Sequence, residues 1–368
     1  MPSSTFSSDR DTYDRPLPST PLKAAGWIAL LVCLLSLTGW ELYWRDLGVD
    51  SSYRNSDGLW AIQRRRIDRG EGDKTVVVSS SRGFFNLQLD VWERESGSRP
   101  IQLGLEGTSP VPFMEDLADD PDFTGTLLVG VSPGPFFGGD RREGVLQRYN
   151  EESPSQWLGQ RISMLIEPYL AFYSFDFALF TVLKRQAWPN RDGVVTEMEV
   201  RKLANFTKER HARLFSKVET DENYREYARA VWAQNFVPLN ERDDEWIETR
   251  LEARAERLDR AVAATRKLQD KGVEVIFFRC PAEGHYSIRE PMYHPRDKTW
   301  DVLIERTGVL GLHFQDHPEM QGYWLPEWSH MSGSEADRFT ASLYHLVQRE
   351  RARLKEQQQI EREGILVD

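Results

Sequence analysis

Cysteine is almost missing from this 368-residue chain: there are two, Cys33 inside an apolar run and Cys280 far downstream, so no disulfide framework is expected. An excess of positive charge is also missing. The net charge is −11 and no basic stripe runs through the sequence, which excludes a general binder of nucleic acid or another polyanion. Long apolar runs are scarce as well, with one uninterrupted example near the N-terminus. Residues 1–23 have few aliphatic side chains and many Ser, Thr, Pro and Asp, a composition that cannot offset the entropy of ordering, and they read as a disordered tail.

What is present starts at Ala24. No charge interrupts the chain from there to Trp40, and Trp27, Trp40, Tyr43 and Trp44 stand where interfacial aromatics belong. Residues 24–44 therefore read as one transmembrane helix, since 17 to 21 helical residues cover roughly 25 to 31 Å. A cleaved signal peptide fits less well: the stretch before the run is long, and Glu-Leu-Tyr-Trp-Arg replaces a small-residue cleavage site. Arg10, Arg15 and Lys23 precede the run, against Arg45 and Arg54 after it, which favours a single-pass cell-membrane protein with its C-terminal domain extracytoplasmic, periplasmic in a bacterium.

Residues 45–73 form a juxtamembrane linker. Beyond it, short apolar segments end repeatedly in small or turn-forming residues: Thr75–Val78 before Ser79-Ser80-Ser81, Ile101–Leu105 before Glu106-Gly107, Thr126–Val131 before Ser132-Pro133, and Val273–Arg279 before Cys280-Pro281. Ile247, Leu251, Leu258, Val262 and Leu268 recur at helical spacing ahead of the Gly272 stop. Phe339, Leu343, Leu346, Val347 and Leu354 do the same near the end. Strand and helix alternating in this way predict an α/β domain over residues 74–355 with a parallel sheet and functional residues at its carboxyl edge. Residues 140–240 exceed what a crossover needs and read as a helical insertion. Residues 356–368 read as a charged tail. A second apolar segment, Met164–Leu183, is interrupted by Glu167, Pro168 and Asp176, which argues for a core helix pair, with a place near the membrane surface left open, over a second span.

Nucleophilic acyl chemistry requires a hydroxyl, an imidazole, a carboxylate to orient it, and oxyanion donors. Ser81 follows a strand and opens a helix, where free amides favour a developing anion, although helix capping is the commoner reason for a serine cluster there. Glu327 precedes His330 by three residues, close enough to fix the imidazole tautomer, ahead of an amphipathic helix.

These blocks resemble those of the SGNH (GDSL-like) hydrolase superfamily over about residues 74–355, outside the insertion. Val-Val-Val-Ser79-Ser80-Ser81-Arg82 matches the family's first block and puts the nucleophile on Ser81, with Gly107 at the second block and Glu327-Trp328-Ser329-His330 at the last. The resemblance implies a flavodoxin-like three-layer parallel sheet and a Ser81, His330 and Glu327 triad needing no cofactor. Gly107 and Ser132 would form the oxyanion hole, and the substrate would be an acyl ester, cell-envelope polysaccharides included. Three positions depart: Ser79 stands for the leading glycine, Glu327 for aspartate, and Ser132-Pro133 where an asparagine donor belongs, proline having no amide proton. Two other readings stay open. One is a fold-retaining, inactive scaffold or polymer-binding protein of the envelope. The other is a metal site built from His313, Asp316, His317 and His330, against which Gly311 and Pro318 break the helix that a His-x-x-x-His pair needs.

Overall fold

The computed structural model describes residues 21–138, 144–184, 198–234 and 236–362. The chain divides into two units between Val49 and Asp50. The first contains the helix Leu22–Asp46, 25 residues long with a mean hydropathy of 1.8 over its most apolar stretch, which is long and apolar enough to cross a membrane. It starts two residues earlier and ends two later than the sequence suggests, with Lys23 before the uncharged run and Glu41 and Arg45 after it.

The second unit is α/β. Five strands form one parallel sheet: β1 (Thr75–Ser79), β2 (Ile101–Gln102), β3 (Thr126–Gly130), β6 (Glu274–Arg279) and β7 (Leu310–His313), in the spatial order β2-β1-β3-β6-β7. β4 (Ala204–Phe206) and β5 (Ala212–Leu214) form a separate antiparallel hairpin. The period-2 geometry of a strand divides the sheet residues between two cores. Val76, Val78, Leu127, Val129, Val275 and Phe277 face helices that include Asp57–Arg64, Val111–Asp119 and Asp244–Asp270. Val77, Leu128, Ile276, Phe278 and Leu312 face Leu89–Ser96 and the long terminal helix Gly333–Arg362. Helices therefore cover both faces, and the strands are apolar without a break because both faces are buried.

Several elements differ from the sequence reading. Leu251 is exposed, because the helix Asp244–Asp270 buries side chains only from Arg257 onward and its first turns have no core beneath them. The terminal helix continues to Arg362, into the expected tail, through a run of good helix formers; residues 363–368 lie outside the described set, as do residues 1–20. β7, which contains Gly311, is a fifth strand beyond the four apolar segments read as strands above. The stretch 140–240 contains the β4/β5 hairpin as well as helices. Within Met164–Leu183 the chain breaks into a helix end, two 3-10 turns and a six-residue helix, so among the described residues only Leu22–Asp46 is both long and apolar enough for a membrane span. Both cysteines are free.

Candidate active site

Strand order reverses between β1 and β3, and the carboxyl edge at such a switch point is where open α/β sheets bind ligands. Ser79 ends β1 there, Ser80 stands at the N-cap position of the helix Ser81–Asn86 without a side-chain capping bond, and Ser81 is its first residue. On the neighbouring strands, Gly107 occupies an exposed turn with φ +66° after β2, and buried Ser132 follows β3, its carbonyl accepting from the Phe136 amide.

The imidazole comes from the loop before the terminal helix. Glu327 is fully buried, and its Oε1 lies 2.8 Å from His330 Nδ1 while also accepting from the His330 amide at 2.6 Å. Trp232 Nε1 donates to the other carboxylate oxygen at 2.5 Å. A carboxylate fixed at both oxygens holds Nδ1 and turns Nε2 away; that nitrogen is buried and has no partner among the described residues. Trp328, between the two, adopts φ +73°, a conformation costly for a side chain of its size, with its ring against Gly284, where a Cβ would come within 2.3 Å.

The helix Ser81–Asn86 is fastened to this loop. Arg82 Nε donates to Ser329 Oγ at 3.1 Å, Asn86 Oδ1 accepts from the Met331 amide at 2.9 Å, and the Phe85 ring lies 4.6 Å from the His330 ring. The structure thus brings the elements of Ser81 and of His330 together, although no hydrogen bond joins the Ser81 hydroxyl to the imidazole. Beneath them Arg82 pairs with fully enclosed Glu290 at 2.6 Å, and Arg279 pairs with it at 3.2 Å. Burial alone would raise the Glu290 carboxyl, but the two guanidiniums hold it below its ordinary value. Burial and the absence of a cationic neighbour strong enough to offset it push the Cys280 thiol up to about 12, removing it as a nucleophile.

Unpartnered buried polar atoms gather here. Ser79 Oγ, Arg82 Nη1, Gln102 Nε2 and His330 Nε2 all belong to these elements and have no partner among the described residues.

Sequence reasoning missed what the insertion contributes. Arg210, at φ +60° in the β4/β5 turn, lies under the Phe84 ring and donates to the carbonyls of Gln102 and Gly104, fixing the chain that leads to Gly107. Arg229 donates to the Pro326 carbonyl and covers the Trp328 ring. With Trp232, these residues come from outside the blocks that carry the resemblance, and no local spacing signals them. The rival metal set is dispersed: His313 Nδ1 accepts the Gln315 amide, Asp316 pairs with Arg296, and no group of three potential ligands occurs among the described residues. No family model and no curated protein matches the chain.

Proposed function

We propose that this chain is a membrane-anchored serine esterase or O-acyltransferase of the SGNH (GDSL-like) kind, acting on acyl esters of cell-envelope polysaccharides from the extracytoplasmic side. The observation that carries the reading is the His330 ring, held at Nδ1 by Glu327 with Nε2 unpartnered, beside the helix that begins at Ser81. Taken in chain order, the five parallel strands follow 2-1-3-4-5, the flavodoxin-like arrangement, which supports the family expectation and the carboxyl edge as the site.

In this scheme Ser81 Oγ attacks the ester carbonyl as His330 Nε2 takes its proton. The alcohol leaves with that proton, and the acyl-serine passes to water or to a sugar hydroxyl by the reverse sequence. Glu327 supports the imidazolium, and Trp232 holds Glu327. The Gly107 and Ser81 amides, with the Ser132 hydroxyl, stabilise the oxyanion. A donor set lacking the asparagine costs on the order of 10² to 10³ in rate, so turnover on simple activated esters is slow.

Ser81→Ala and His330→Ala each lower ester turnover by at least about 10⁴-fold, Glu327→Gln lowers it less, and Trp232→Phe by about tenfold. A fluorophosphonate probe labels wild type and not Ser81→Ala. Undiminished activity in Ser81→Ala eliminates the scheme. The reading of the fold as an inactive, polymer-binding scaffold draws on Ser132-Pro133 and on the missing Ser81 to His330 hydrogen bond; a wild-type chain that resists the probe yet retains envelope polysaccharide establishes it instead. A compartment-dependent reporter fused after Asp368 tests the orientation.

A further inference from the structure

Beyond Asp50, fourteen large apolar side chains are exposed among the described residues, and nine of them fall between Trp157 and Leu183, so the exposure is concentrated in one stretch. Such concentration on a folded surface marks an interaction site. The helix Pro154–Ile166 shows which kind. Leu158, Ile162 and Leu165 share one face at helical spacing and are 52%, 49% and 72% exposed. The opposite side is polar and turned inward. Gln160 is buried and bonded to Ser56, and Ser163 donates to buried Glu167. This is the reverse of a helix packed on a soluble core, where the apolar stripe is the hidden one. Leu179 and Phe180, 56% and 80% exposed, extend the apolar surface through the following turns.

The charges of the stretch are sorted in the same sense. Glu167 accepts the Arg54 amide in the interior, and Asp176 acts on buried Lys202. Of the cations, Lys184 is exposed, while half-buried Arg161 lies over the exposed Trp157 ring and half-buried Arg54 over exposed Phe175. An apolar face with aromatic and basic flanks suits the boundary between acyl chains and headgroups.

Ser51 Oγ donates to the Pro168 carbonyl at 2.7 Å and the Arg54 amide to Glu167, which fixes residues 51–54 against this stretch. In sequence, four residues lie between the end of the Leu22–Asp46 helix and this segment. We propose that the exposed apolar face of residues 157–183 docks on the lipid bilayer, its side chains entering the interfacial region of the membrane that holds the N-terminal helix. The inference rests on reading that helix as the anchor and is independent of any catalysis.

The test uses the full-length chain in a Cys33→Ala background, buried Cys280 being unreactive, reconstituted in vesicles of phosphatidylcholine with a minor share of phosphatidylglycerol. Single nitroxide labels go on Leu165→Cys and Phe180→Cys, with Leu31→Cys as the reference for lipid and Ala352→Cys on the terminal helix as the reference for water. Collision with oxygen is compared with collision with a water-soluble nickel complex. The expected result is a ratio at 165 and 180 shifted several-fold toward that at 31. A ratio at both positions equal to that at 352, with 31 in lipid, overturns the docking face and leaves the anchor standing. A water-like 31 removes the anchor reading and the proposal with it. Shielding of 165 and 180 from both reagents, with spin–spin broadening between chains, means the face is covered by a second copy and also overturns the proposal.

Discussion

Ser79 is surrounded by glycine. A Cβ on Gly83 or Gly130 would fall 2.6 or 2.7 Å from the Ser79 Cβ, and one on Gly104 would fall 2.7 Å from its hydroxyl, so three elements approach β1 more closely than alanine permits. The hydroxyl itself is buried and unpartnered. Removing it takes away a desolvation cost of about 1–3 kcal/mol, so Ser79→Ala is expected to raise the thermal midpoint. Gly130→Ala overpacks the same spot against Ser79 and the Phe278 ring and costs about 1–3 kcal/mol. Gly104→Ala costs less in the Ser79→Ala background than alone, and a double-mutant cycle in urea reads that coupling. Additive effects would show that the crowding is not shared. At this scale the sequence was legible where partners are near in the chain: Glu327 and His330, three apart, lie 2.8 Å from each other. Nothing in the order of residues announces that Gly83, Gly104 and Gly130 converge on one serine, because each belongs to a different element.

Among elements, the buried cluster of Glu290 with Arg82 and Arg279 joins the helix Ser81–Asn86 to β6 and to the helix Gly284–Tyr293. Taking its charge away leaves two guanidiniums enclosed without compensation. Glu290→Gln is expected to cost about 3–5 kcal/mol in urea unfolding and to loosen the helix carrying Ser81. A loss below about 1 kcal/mol would show that water already reaches the pair. The main strands were legible from β-branched runs ending in turn residues, and the long helices from their period. β7 was not, since four residues with an internal glycine carry no period, and neither was the β4/β5 hairpin, whose Ala-Asn-Phe and Ala-Arg-Leu are held by packing on Phe84 and Phe85. Tertiary contacts override weak local preference there.

For the whole molecule, buried histidines govern the response to mild acid. Burial, followed by Arg279 and Arg296, lowers His313 from 6.5 to about 3, and burial above all lowers His294 to about 4; burial also lowers His211. A folded state that keeps imidazole neutral binds fewer protons than the unfolded chain below pH 6.5. Stability is therefore full above 6.5 and lost as pH falls toward the folded values, on the order of 2 kcal/mol for each of His294 and His313 at pH 5. Glu71, held at about 2 mainly by its hydrogen bond from Arg66, contributes to acid loss only below about 4.5. Unfolding midpoints between pH 6.5 and 4.5 should flatten in a His294→Gln, His313→Gln double variant, and an unchanged slope would assign the loss elsewhere.

The long insertion between β3 and β6 also imposes an order of events on synthesis. Thr126 and Glu274, paired across those strands, are 148 positions apart, and Arg82 and Ser329 are 247 apart. While the chain is being made, β3 must wait with one edge open, a flat apolar edge of the kind that pairs with other chains. A chain stopped at Lys271 is expected to sediment as aggregate where the full chain stays dispersed. Closure over such distances is slow, so the contacts that join the His330 loop to the helix Ser81–Asn86 are among the last parts of the molecule to form, once the final helix has left the ribosome.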